Sequence, residues 1–306
     1  RDKLVTGVQT CALPISSNTR ISTKDTNIVA KDINSNNITI SSETGNIIAN
    51  NIVANTSGNN VVTVKTGGNA ELTNATADKI VINAVDAKVN GNIATDSLSI
   101  TANSHGTVSA VVDYLNNDAD KSSDLVSVFS YGDVTLKDAN INGDTSVIAR
   151  YSEDVSSDEI KNDINIENTT ISGRLYSDAD NDTNIKTLTI LGENNYLGST
   201  SKGNFNVTDK LDVLGDAIIT ALNDVMIKEI TAGDDIEITA DDANIEKITS
   251  VNDTTIVTTG NTTIANGTVG GDFTNTSDNT QVTKLLNHTS IFVILFFSNN
   301  LIFSSY

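Results

Sequence analysis

Apolar and polar residues alternate in short runs along most of this chain. The clearest case is Asp235–Ser250, where Ile236 and Ile238 alternate with polar neighbours and, after a polar link, a second apolar pair follows at Ile245 and Ile248. Alternation with a period of two predicts a β-strand with one buried face. The stretch therefore predicts a strand, a turn and a second strand.

The same arrangement recurs through the body of the chain, at 37–47, 79–89, 133–141, 163–171 and 187–197. Apolar pairs such as Val62/Val64 and Ile80/Ile82 also lie eighteen residues apart. That spacing is close to one coil of about 20 residues in a solenoid, in which successive coils stack on each other. We therefore predict an all-β fold: a right-handed parallel β-helix (β-solenoid) with coils of about 20 residues.

Asparagine residues separate the apolar positions in the first part of the body, and asparagine tolerates the left-handed conformation that a tight corner needs. They are Asn27, Asn34, Asn37, Asn46 and Asn51. Two other fold classes fit the sequence less well. Acidic chains with few aromatic residues are often disordered, but a disordered chain has no reason to keep β-branched residues at alternate positions. A helical bundle is disfavoured because no helical spacing is present.

The two ends differ from the body. Residues 1–15, RDKLVTGVQTCALPI, resemble a translated sequencing adapter, and they lack the continuous apolar core of a signal peptide. From residue 285 to 306 the composition changes to a hydrophobic tail, which is too short for a membrane-spanning helix and which we interpret as a frameshifted or truncated end. We therefore expect one β-solenoid repeat domain at 16–284.

The charge excludes one class of partner. The chain carries a formal net charge of −20 with 39 acidic and 19 basic residues. Such a surface repels phosphate backbones, so nucleic-acid binding is not expected. The single cysteine, Cys11, lies in the suspect first segment, which leaves the body without cysteine-based zinc sites or disulfides.

Three polar, acidic segments interrupt the alternation, and in solenoids such insertions become loops that project from one face. They are 113–124, 150–162 and 176–184, with one tyrosine at or near each: Tyr114, Tyr151 and Tyr176. Exposed tyrosines in loops are candidate contact residues for a glycan or a protein. The alternative is that these rings only cover the side of the solenoid.

The chain offers one candidate metal site and no catalytic arrangement. Asp178, Asp180 and Asp182 place carboxylates at positions one, three and five, as at the start of a calcium loop. The glycine and the final glutamate of such a loop are absent, so a solvated acidic loop is the competing interpretation. No other cofactor is indicated.

An enzyme is not predicted, although parallel β-helices include polysaccharide-degrading enzymes. Arg150 and Arg174 lie near acidic segments and are the residues such an enzyme would use. His105 and His288 are isolated in the sequence, and no Ser–His–Asp pattern is evident.

Two phrases resemble the repeats of a known family. GDVTLKDANINGD at 132–144 and GDDIEITADDANIEKITS at 233–250 are similar to the repeats of filamentous haemagglutinin-type exoproteins and large autotransporter adhesins. The resemblance implies an exported β-helix at a bacterial surface that serves adhesion or biofilm formation. It also implies a glycan or protein partner on a host or bacterial cell, and an outer-membrane transporter during export. A purely structural surface-layer or matrix segment is the alternative.

Overall fold

The computed structural model describes residues 18–54, 59–115, 125–151, 161–192, 196–287, 291–295 and 302–303. All regular structure within these residues is β-strand, and they contain no helix. The chain divides into two compact units, residues 1–160 and 161–306. In each unit the strands pair in parallel with strands about one coil further along the chain, which confirms the predicted all-β parallel solenoid. The right hand of the coil and the single domain at 16–284 stay predictions.

The described residues of the first unit form ten strands. They are β1 (Thr19–Thr23), β2 (Ile28–Ser35), β3 (Ile38–Ser42), β4 (Ile47–Ala54), β5 (Val61–Thr66), β6 (Ala70–Asp113), β7 (Val126–Ser130), β8 (Asp133–Lys137), β9 (Asn140–Ile141) and β10 (Thr145–Ala149). Strand β6 is continuous through several corners, and it pairs with β4 and β5 on one side and with β7, β8 and β9 on the other.

Sixteen strands lie in the part of the second unit that the structure describes. They are β11 (Ile164–Glu167), β12 (Thr169–Ile171), β13 (Leu175–Ala179), β14 (Thr183–Ile190), β15 (Leu197–Ser201), β16 (Phe205–Val213), β17 (Ala217–Ala221), β18 (Val225–Ala232), β19 (Ile236–Ala240), β20 (Ala243–Ser250), β21 (Thr254–Thr258), β22 (Asn261–Val269), β23 (Phe273–Ser277), β24 (Asn279–Asn287), β25 (Ile291–Leu295) and β26 (Ile302–Phe303). Long even-numbered strands stack on one another, and short odd-numbered strands from β13 to β25 form a second stack.

The segment that defined the repeat folds as predicted. Its two strands are β19 and β20, and the side chains of Ile236, Ile238, Ile245 and Ile248 are at most 1% exposed. The turn between the strands is only two residues long, because Ala240 and Ala243 also point into the core.

The predicted coil spacing is also confirmed. Val62 pairs with Ile80 and Val64 with Ile82, eighteen residues along the chain. A larger separation occurs where Leu98 pairs with Val126. This longer coil contains the predicted insertion at 113–124, of which 116–124 lie outside the described residues.

The core consists of thin columns of aliphatic side chains. Ile219, Ile238 and Ile256 lie in register on successive coils and are fully buried. Burial of one such side chain contributes about 1.5–3 kcal/mol. Each coil therefore adds its own stabilisation through a few aliphatic residues, and the chain needs few aromatic ones.

Aspartate and asparagine side chains at the corners connect each coil to the next. In the second unit, the backbone N–H of Asp235 donates to Oδ1 of Asp216 at 3.1 Å, that of Asp253 to Asp235 at 2.8 Å and that of Asp272 to Asp253 at 2.7 Å. Each of these residues immediately precedes a strand. The side chain therefore satisfies a backbone donor at a corner, where the strand ladder is interrupted.

Asparagine builds the equivalent ladder in the first unit. Asn27 Oδ1 accepts the backbone N–H of Asn46 at 2.8 Å, and Asn46 Oδ1 accepts that of Asn69 at 2.9 Å. Of the asparagines that the sequence assigned to left-handed corners, Asn51 has a positive φ of 54°. Asn27, Asn37 and Asn46 do not have positive φ values; their side chains act as hydrogen-bond acceptors instead.

Removing the acceptor at one corner should destabilise the fold, whereas removing only its charge should not. We expect Asp235→Ala to lower the free energy of unfolding by about 1 kcal/mol, the net contribution of one hydrogen bond. Asp235→Asn keeps an acceptor and relieves repulsion with Asp216 and Asp234, whose oxygens lie within 4.8 Å. It should match or exceed the natural chain at low salt, with a smaller gain at high salt.

Urea unfolding followed by circular dichroism measures both effects. If Asp235→Asn destabilises the chain as much as Asp235→Ala, the hydrogen bond from the Asp253 backbone N–H to Asp235 Oδ1 does not stabilise the corner.

One buried polar residue interrupts an aliphatic column. Asn275 follows Ile256 in register and is 0% exposed. Its Nδ2 donates to Ser277 Oγ at 3.1 Å and to Thr280 Oγ1 at 2.6 Å, but its Oδ1 has no hydrogen-bond partner. An unpaired buried acceptor of this kind costs about 1–3 kcal/mol.

Asn275→Leu should therefore raise the thermal unfolding midpoint, since it removes the unpaired oxygen at similar volume. Ser277 and Thr280 would still hydrogen-bond each other at 2.7 Å. Asn275→Ala is the matched control and should gain less, because it leaves a cavity. A midpoint for Asn275→Leu below that of the natural chain would contradict this account.

Candidate functional site

The segment 176–184 is not the projecting loop that the sequence predicted. Tyr176 and Asp178 lie on strand β13, and a turn of three residues leads directly into β14. Asp178 lies in the strand, and Asp180 and Asp182 lie in the turn that follows it. Their carboxylates are bound by other groups of the protein, so these acidic residues are part of the regular structure although they hide the apolar alternation in the sequence. The prediction of a loop here was wrong for that reason.

Tyr176 forms a surface cluster with residues of the next coil. It pairs in register with Gly198, and the rings of Tyr176 and Tyr196 both approach the position that a Cβ of Gly198 would take, at 3.9 Å and 3.3 Å. The two tyrosines are 44% and 36% exposed. The Arg174 guanidinium lies over the Tyr196 ring, 6.0 Å from its centroid. We call Arg174, Tyr176, Tyr196 and Gly198 the tyrosine cluster.

Chemically, the tyrosine cluster is an exposed aromatic surface with a polar edge. The Tyr176 hydroxyl donates to Oδ2 of Asp178 at 3.2 Å, which fixes the ring. Fixed aromatic rings with a glycine between them can contact the apolar face of a sugar or a partner's side chain at low entropic cost. Tyr196 is not recognisable from the sequence as part of this cluster, because its proximity to Tyr176 depends on the register between two coils.

The other two predicted tyrosines differ from Tyr176. Tyr114 packs over Gly143, where an added Cβ would lie 2.8 Å from the tyrosine ring and hydroxyl. This contact fits the alternative that the ring covers the side of the solenoid. Tyr151 is 62% exposed and borders 152–160, which lie outside the described residues. Its role as a contact residue stays a prediction.

The three carboxylates of the calcium candidate bind three different partners. Asp178 accepts the Tyr176 hydroxyl, Asp180 pairs with Lys202 at 2.7 Å, and Asp182 accepts the backbone N–H of Asn204 at 2.7 Å. They are therefore not gathered around one point. Calcium binding by these residues stays a prediction that the geometry does not favour.

A different acidic trio is closer together. Among the described residues, Asp216, Asp234 and Asp235 are the one group of three whose carboxylate oxygens lie within 4.8 Å of one another. Asp216 and Asp235 each hold a backbone N–H of the following coil, and Asp234 accepts the side-chain amide of Asn252. Their proximity follows from the corner ladder.

His105 is isolated in the sequence but not in the structure. Its Nδ1 lies 2.8 Å from Ser104 Oγ and 3.2 Å from Asp86 Oδ1, and its Nε2 lies 3.7 Å from Asp133 Oδ2. In a nucleophilic triad, the serine and the orienting carboxylate bind opposite ring nitrogens. Here Ser104 and Asp86 face the same nitrogen, and Asp133, at the opposite nitrogen, is 3.7 Å away, beyond hydrogen-bond distance. The three groups therefore do not have the hydrogen-bonded geometry of a triad.

The two arginines considered for an enzyme lie in different units. Arg150 follows β10 in the first unit, and Arg174 belongs to the tyrosine cluster in the second. Lysines of the second unit mainly neutralise carboxylates on neighbouring coils, as in Lys186–Glu167 at 2.7 Å. The Lys210 ammonium donates a hydrogen bond to the Asp212 carboxylate, which raises the pKa of Lys210.

Comparisons with protein-family models, with curated proteins and with solved structures found no match for this chain. Within the residues that the structure describes, no helix has the length and hydropathy to cross a membrane.

Proposed function

We propose that this chain is part of an adhesin-type β-solenoid, exported by a bacterium to its surface or surroundings, and that it acts as a stalk that displays contact residues. The observation that carries the proposal is the tyrosine cluster on a regular stack of parallel coils. Every coil of the stack has the same backbone arrangement, and the side chains on its outer surface can vary and contact a partner. The resemblance of 132–144 and 233–250 to exoprotein repeats supports the same function.

The composition agrees with an exported stalk. Few aromatic residues are needed to stabilise thin aliphatic columns, and the net charge of −20 keeps long stacks soluble and apart. In this proposal the partner is a glycan or protein on a host or bacterial cell, and an outer-membrane transporter carries the chain during export. The proposal assigns the chain no catalytic reaction.

A structural surface-layer or biofilm-matrix segment is the second candidate. It is favoured by the corner ladders, whose hydrogen bonds join coil to coil in both units. It predicts self-association and no specific attachment to cells.

The test is attachment of beads coated with the full chain to epithelial cells and to bacteria. We expect Tyr176→Ala combined with Tyr196→Ala to reduce attachment several-fold, because aromatic anchors dominate binding at such surfaces. Leu222→Ala removes another exposed apolar side chain, 66% exposed, and is the matched control. It should leave attachment unchanged.

Circular dichroism melts establish that each variant is folded. If the natural chain attaches no better than albumin-coated beads and instead self-associates in light scattering, the structural segment replaces the adhesin. Equal loss of attachment with Leu222→Ala would remove the tyrosine cluster from the proposal.

A further inference from the structure

An open groove runs across the long strands of the second unit, in the stacking direction of the coils. Two cavities of about 510 Å³ each open on this face, one over β14 to β20 and one over β20 to β24, and Asn244 lines both. Its floor is an in-register column of outward side chains, one from each coil: Asn184, Asn206, Met226, Asn244, Thr263 and Gln281. We call this surface the amide groove.

The side chains on the floor of the amide groove are hydrogen-bonded to one another at one end of the groove but not at the other. Asn184 Nδ2 donates to Asn165 at 3.2 Å, and Asn206 Nδ2 donates to Asn184 at 2.9 Å. Met226 follows Asn206 in register and cannot continue the ladder. As a result, Oδ1 of Asn206 is buried and has no hydrogen-bond partner. Burying this acceptor without a partner costs about 1–3 kcal/mol, so a small rotation of the Asn206 side chain that lets a ligand hydroxyl donate to it is favourable.

Beyond Met226 the groove presents polar groups that the described part of the protein does not use. The side chains of Asn244, Thr263 and Gln281 line the open cavity, and a carboxamide offers both donors and acceptors. Met226 is 47% exposed and adds a polarisable apolar surface. Such a floor matches the alternating hydroxyl groups and apolar faces of a sugar chain.

The charges at the groove select a neutral ligand. The positive charge of Lys228 is partly offset by Asp209, 3.3 Å away. Asp242 and Glu246 at the rim are acidic, and they repel sulfated or uronic-acid chains. Each coil contributes one side chain to the floor, and neighbouring coils lie about 4.8 Å apart. This spacing is close to the length that one sugar residue adds to an extended chain.

We propose that the amide groove binds a neutral, extended, β-linked hexose chain along the stacking direction, with successive sugar residues over Asn206, Met226, Asn244 and Thr263. The inference rests on the groove alone. It does not involve the tyrosine cluster and would hold wherever the chain is located.

Calorimetric titration of the full chain with cellohexaose tests the proposal. We expect saturable binding, weakened about tenfold in Asn244→Ala, the loss of about two neutral hydrogen bonds. Thr263→Tyr should abolish binding by filling the groove. Glu237→Ala changes an exposed residue on the other strand stack and is the control that should bind normally. Maltohexaose, whose α-linkages curve the chain, should bind more weakly than cellohexaose.

Three results would overturn the inference. One is no heat with cellohexaose at millimolar concentration, with the chain folded by circular dichroism. Another is binding that Asn244→Ala and Thr263→Tyr leave unchanged. The third is a dimer in analytical ultracentrifugation that both variants disrupt and the sugar does not, since the groove would then be an interface between copies.

Discussion

The in-register stacking of parallel coils is the constraint on which the rest of this structure depends. A side chain meets its equivalent on the coil before and the coil after, so each position must tolerate repetition of itself. Aliphatic residues do so by forming columns such as Ile219, Ile238 and Ile256. At the corners the strand ladder is interrupted, and the hydrogen bonds of aspartate and asparagine side chains replace it.

Much of the fold was predictable because alternation is a local property. The burial of Ile236 and Ile238 follows from a period of two, and the coil spacing follows from the distance between Val62 and Ile80. The error at 176–184 has a physical cause. Acidic residues predict loops when each is considered alone, but Asp182 at a corner accepts a backbone N–H and is compatible with regular structure.

The candidate sites were harder to predict, because contacts between coils join residues about one coil apart. His105 meets Asp86, nineteen residues away, and Asn206 reaches Asn184 over twenty-two. Coil length varies between those pairs, and an insertion further lengthens the coil between Leu98 and Val126. A fixed repeat length therefore does not align the columns. The register has to be known before Tyr196 can be placed beside Tyr176.

Many of the acidic residues have a structural role at the corners of the coils, so the acidity of the chain says little about its ligands. An oxygen acceptor is all that the ladder requires, and the first unit meets this need with Asn27 and Asn46. The second unit uses Asp216, Asp235 and Asp253, at the cost of repulsion between stacked carboxylates. Charge on the corners discourages lateral association of β-rich stacks. The floor of the amide groove, by contrast, carries no charged side chain. An acidic protein therefore presents a neutral floor in this groove, with acidic residues only at its rim.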